Sequence, residues 1–85
     1  MNLYLISQDE NSGYDTYDSA VVVAPDAEAA LHCNPGGGTL DWEARDTVKR
    51  WTAWAYNREA VKVSLIGVAA EGVAPGVVCA SFNAG

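Results

Sequence analysis

His32 and Cys33 are the first pair of side chains in this chain that could do chemistry together, with Cys79 as the only other thiol. A nucleophilic or zinc role needs their side chains to converge. Adjacent residues on a helix point roughly 100° apart and do not face each other. A zinc site would have to gather His32, Cys33, Cys79 and a carboxylate without any Cys-x-x-Cys spacing. The run Asp9-x-Asn11-x-Gly13-x-Asp15 begins like an oxygen-rich calcium loop. It then departs from that pattern, because glycine occupies the third ligand position and Ala20 stands where a bidentate glutamate belongs. Gly36-Gly37-Gly38-Thr39 lacks the Lys-Ser/Thr of a phosphate loop. With one histidine, no Gly-x-Ser-x-Gly elbow and no nucleophile–base pair, the expectation is a protein that is not an enzyme and uses no metal or cofactor.

The carboxylates carry a stronger signal. The formal net charge is −6, from eleven acidic and five basic residues. Asp9, Glu10, Asp15, Asp18, Asp26, Glu28, Asp41 and Glu43 all fall in residues 1–44, which contain no lysine or arginine. Every cation lies beyond: Arg45, Lys49, Arg50, Arg58 and Lys62. An ordinary soluble surface mixes the two signs. A segregated negative field repels nucleic acid and anionic membranes and attracts basic surfaces. The loop around Asp9–Asp18 also holds Tyr14 and Tyr17, aromatic rings that supply contact area at a protein interface. The expected partner-binding set is therefore Asp9, Glu10, Tyr14, Asp15, Tyr17, Asp18, Asp26, Glu28, Asp41 and Glu43, meeting Arg and Lys on a basic partner. The other reading of the loop is a solvated turn whose tyrosines fold back on the core. Trp42, Trp51 and Trp54 interleave with Arg45, Lys49 and Arg50, a pattern used for single-stranded nucleic acid. The overall acidity favours core tryptophans instead, with no direct nucleic-acid binding.

These residues must be positioned by a single domain over residues 1–85, since the length leaves no room for a second. Leu3-Tyr4-Leu5-Ile6 reads as a first strand buried on both faces, and Asp9–Ser19 as a polar loop. Ala20-Val21-Val22-Val23-Ala24 is a β-branched strand that pairs with the first. Asp26 is an N-cap, and Ala27-Glu28-Ala29-Ala30-Leu31 opens a helix of two to three turns ended by Asn34-Pro35-Gly36. A helical or irregular start at Asp41 leads into a strand over residues 48–56, and Asn57–Ala60 forms one capped turn. Strands at Val61–Ile66 and Val77–Phe82 flank a turn at Glu71–Gly76. The order β-β-α-β-β-β predicts an α+β fold, an antiparallel sheet of four to five strands with one short helix on a face. No stretch approaches the apolar length of a membrane span, and the start shows no basic region ahead of its apolar run. A cytosolic setting with reduced thiols is expected; a Cys33–Cys79 disulfide is the alternative.

Three stretches add a resemblance: Leu5–Glu10, Gly13–Val22 and Gly76–Gly85, together 26 of 85 residues. They resemble a group of short phage and prophage proteins, which brings no catalytic residues with it. Small acidic phage proteins of this type resemble anti-CRISPR proteins, several of which imitate DNA. The resemblance implies an inhibitor in the bacterial cytoplasm that binds a CRISPR-Cas subunit or complex through an acidic face. The competing expectation is an oligomerising phage accessory or structural protein that associates through tryptophans and an exposed sheet edge.

Overall fold

The computed structural model describes residues 1–43 and 52–84. Strand β1 (Asn2–Ser7) alternates two kinds of environment. Tyr4 and Ile6 are buried, while Leu3 is half-buried and Leu5 exposed, so the strand has one buried face rather than the two expected. Strand β2 (Thr16–Ala24) begins earlier than the sequence suggested, which shortens the acidic loop and places Tyr17, Asp18 and Ser19 within a strand. β1 and β2 pair antiparallel across that loop, from Asn2 opposite Ala24 to Ser7 opposite Ser19.

Helix α1 (Ala27–Leu31) starts as its residues dictate. The Asp26 carboxylate accepts the Ala29 backbone N–H at 2.8 Å, and Glu28 sits near the positive helix end. The helix is only five residues long, shorter than the two to three turns expected. Its chain already turns at His32–Cys33, where the His32 carbonyl accepts the Leu40 N–H and Cys33 bridges to Thr39. Gly37 and Gly38 adopt positive φ in the intervening turn, a conformation glycine takes without penalty.

Trp42 and Glu43 are helical. Of the strand expected over residues 48–56, residues 48–51 lie outside the described part, and residues 52–56 are not a strand. They run as an irregular segment in which the Thr52 and Trp54 carbonyls accept from the Asn11 side chain and the Ala53 carbonyl accepts the Tyr17 backbone N–H. A 3₁₀ turn follows (Arg58–Ala60), then β3 (Lys62–Val68) and β4 (Gly76–Asn83).

The described strands form one antiparallel sheet in the order β3-β1-β2-β4, so the two late strands are its edges. Among the described residues the result is a four-stranded α+β arrangement with the short helix α1. Tyr4, Ile6, Ala20, Val22 and Ala24 form the sheet side of the core, closed from above by Ala30, Trp42, Trp54 and Ala55. Two of the tryptophans are thus core residues. The Trp42 indole N–H donates to the Leu31 carbonyl at 2.9 Å, whereas the buried Trp54 indole has no partner among the described residues. Trp51 lies outside the described residues. Both thiols are free: Cys33 is half-buried and Cys79 is exposed on β4.

Candidate functional site

The β1–β2 loop is held by amides that the sequence reading had not singled out. Gln8 follows the apolar run of β1 and is 5% exposed. Its side-chain amide donates to the carbonyls of Asn11 (2.8 Å) and Tyr17 (2.7 Å), and its oxygen accepts the Asn11 N–H (2.8 Å). Asn11 in turn donates to the carbonyls of Thr52 and Trp54, at 2.8 and 2.9 Å. The Thr16 hydroxyl donates to the Gly13 carbonyl at 2.6 Å. A loop with so many internal partners is ordered before it meets anything else, which lowers the entropy lost on binding. The only available sign in the sequence was the placement of uncharged amides at Gln8 and Asn11 amid carboxylates, and such residues are common in any loop.

The acidic residues divide by position. Asp9, Glu10, Asp15 and Asp18 stand at the end of the sheet where β1 leaves and β2 enters. Glu10 has a structural duty there: its carboxylate accepts the N–H of Tyr56 (2.8 Å) and Asn57 (3.2 Å) and the Asn57 side-chain amide (2.8 Å). Asp15 adopts φ 58°, which aspartate tolerates better than most residues, and its N–H donates to the Asn83 carbonyl at 2.6 Å. Asp18 is the extra residue of a bulge in β2, because Tyr17 pairs with Phe82 and Ser19 with Ser81. A bulge re-aims the side chain it carries. Asp9, Asp15 and Asp18 are exposed, and their carboxylates enter no ion pair among the described residues.

Asp26, Glu28, Asp41 and Glu43 belong to a second group around α1. Six strand steps, about 20 Å, separate Asp18 from Ala24, beyond which Asp26 caps the helix. The Trp42–Leu31 bond brings Asp41 and Glu43 to the other end of that helix. Asp41 holds the Glu43 N–H at 3.1 Å. Glu28 is partly neutralised by Arg58 at 3.2 Å and also lies 3.8 Å from the His32 ring. The two groups approach each other at consecutive residues, since Asn57 grips Glu10 and Arg58 reaches Glu28. A cation therefore sits at their junction. Arg45, Lys49 and Arg50 lie outside the described residues.

The two tyrosines differ. Tyr14 is 77% exposed, whereas Tyr17 packs against the core and tilts onto Phe82 with ring centroids 4.8 Å apart. Beside Tyr14, an open cleft of about 570 Å³ is lined by Ser12, Gly13, Tyr14, Phe82, Asn83 and Ala84. It contains no acid–base pair. His32 bonds through Nδ1 to the Glu28 carbonyl oxygen at 2.9 Å, and the Cys33 Sγ lies 3.5 Å from the Ala29 carbonyl oxygen. Burial pushes the Cys33 thiol pKa up, away from a reactive thiolate. Among the described residues, no three His, Cys, Asp or Glu side chains come together as a metal site. No described helix is long and apolar enough to cross a membrane.

Comparison of the chain with protein-family models, with curated proteins and with solved structures finds no match in any of the three.

Proposed function

We propose that this chain is a non-enzymatic inhibitor that docks the acidic end of its β1–β2 hairpin on a basic, nucleic-acid-binding protein and so excludes the nucleic acid. One observation carries this reading: Asp9 and Asp15 on a loop that Gln8, Asn11 and Thr16 hold in shape, and Asp18 on the adjoining bulge of β2, are exposed with no counter-ion among the described residues. Exposed carboxylates on an ordered support can meet arginine and lysine as charge-assisted pairs, and Tyr14 beside them offers an aromatic anchor.

Magnitude limits what is imitated. The molecule is 38 Å long, and duplex DNA of that length carries about 20 phosphates at one charge per ~1.7 Å. The whole chain has eleven carboxylates, with Glu28 paired and Glu10 engaged by backbone amides. The hairpin end therefore stands in for a few phosphates of a bound strand. Taken with the resemblance to small acidic phage proteins, the reading places the target in a CRISPR-Cas complex of the bacterial cytoplasm, with the DNA-recognition surface as the docking site.

The test is competition between the protein and DNA for a guide-loaded Cas complex across a series of salt concentrations. Wild-type protein blocks DNA loading, and the block weakens as salt rises. The double substitution Asp15→Asn with Asp18→Asn weakens binding about tenfold, which corresponds to ~1.4 kcal/mol shared between two surface ion pairs. Undiminished binding by the double variant, or normal DNA loading on the protein-bound complex, refutes the proposal.

A further inference from the structure

The edge strand β4 differs from the rest of this acidic molecule. Glu71 is the last charged side chain, and none follows from Gly72 to Gly85 in a chain of net charge −6. β4 pairs with β2 on one side only, leaving the backbone groups of its other side without a strand partner in the described sheet. Open edges are commonly guarded by lysine, by proline within the strand, or by bulges. β4 has no lysine and no internal proline. Its one guard is a bulge at Val78, the residue left over where Val77 pairs with Val22 and Cys79 with Val21. Val78 and Phe82 are nevertheless 57% and 48% exposed.

We infer that β4 is a self-association edge, pairing antiparallel with β4 of a second copy of this chain. The spacing favours a copy of itself over an unrelated partner. A twofold axis at Ala80 sets each Phe82 beside Val78 of the second copy, twice over, so the two large exposed apolar side chains of the strand cover one another. Aromatic and β-branched cross-strand pairs of this kind are stabilising. The charge distribution permits it. No ionic group lies on the strand. One strand in, Asp18 is bulged between the Phe82 and Ser81 pairs, within two residues of the axis and roughly 17 Å from its copy across three strand spacings. Asp15, bonded beside Asn83, sits three residues from the axis. The two Asp15 residues then stand about 20 Å apart along the strands, well beyond the ~8 Å screening length of physiological salt. The other edge, β3, exposes more apolar surface at Leu65, Ile66 and Val68, but the exposed Lys62 begins it, and self-pairing about Leu65 would set that charge beside Val68 of the other copy.

Sedimentation equilibrium of the full chain at micromolar to sub-millimolar concentration reads the result directly. The expected mass is twice the 9.0 kDa of the chain, and the dimer strengthens with added salt, because screening relieves repulsion between two acidic copies. This is the opposite salt trend from docking on a basic partner, so the two proposals fail independently. Phe82→Lys sediments as a monomer and Leu65→Lys remains dimeric, with far-ultraviolet circular dichroism confirming that each variant is folded. A second measurement needs no disruptive variant. In this register the two Cys79 residues are diagonal neighbours at about 7–8 Å, so a short bismaleimide links them, and Cys79→Ser abolishes the product. A wild-type monomer at all concentrations overturns the inference, as does a dimer lost in Leu65→Lys, or a cross-link that survives Cys79→Ser.

Discussion

Replacing Gln8 by alanine tests whether the acidic hairpin end is organised from within. The side chain makes three hydrogen bonds of 2.7–2.8 Å, all to backbone groups of its own loop and of β2. A neutral hydrogen bond contributes about 1 kcal/mol net, and a buried group left without a partner costs about 1–3 kcal/mol. Gln8→Ala strands the Asn11 N–H and the Asn11 and Tyr17 carbonyls. Water can reach some of the loop, which places the expected loss near the lower bound, about 3 kcal/mol in total. An 85-residue domain has a stability of only about 4–13 kcal/mol, so much of it disappears. The melting temperature should fall by roughly 12–24 °C. Urea unfolding followed by the fluorescence of the buried Trp42 and Trp54 measures the loss, and at a slope near 1 kcal/mol per molar urea the midpoint moves by about 3 M. Gln8→Glu separates packing from bonding. The carboxylate keeps nearly the same volume and can still accept from Asn11, but once ionised it cannot donate to either carbonyl. It should therefore destabilise at least as much as alanine at neutral pH. A shift below about 0.5 kcal/mol in both variants, the range of ordinary surface substitutions, would refute the clamp and with it the ordered loop.

Asp26→Ala removes the acceptor of the Ala29 N–H at the start of α1 and should cost about 1 kcal/mol in the same unfolding assay, with Asp26→Ser restoring most of it. The two thiols should differ in reactivity. Cys79 is exposed and reacts first with a thiol reagent at pH 8, while burial keeps Cys33 protonated and slows it; the lag is read as biphasic release of the reporter dye and disappears in urea.

Local chemistry alone determined several parts of this fold. Asp26 followed by an alanine-rich run gave the position of the helix start, because a cap is satisfied by neighbours three residues away. The β-branched run around Val21–Val23 and the alternation at Val61–Ile66 marked strands, and the polar stretch between the first two strands made them a hairpin. The segregation of carboxylates from cations could be counted directly. Tertiary contacts decided what those local rules could not. Residues 52–56 have a strand-like composition, yet the Thr52 and Trp54 carbonyls are taken by Asn11 and the backbone N–H groups of Tyr56 and Asn57 by Glu10, some 40 residues distant in the chain. Tyr14 and Tyr17 look equivalent in sequence; only the pairing of β2 with β4 turns Tyr17 onto Phe82 and leaves Tyr14 outside. The eight acids are likewise one population in the sequence and two in space, because β2 carries Asp18 and Asp26 to opposite ends before the helix begins. Charge is a property of residue type and can be read one residue at a time. Which charges become neighbours depends on contacts between distant segments, and those exist only once the sheet has formed.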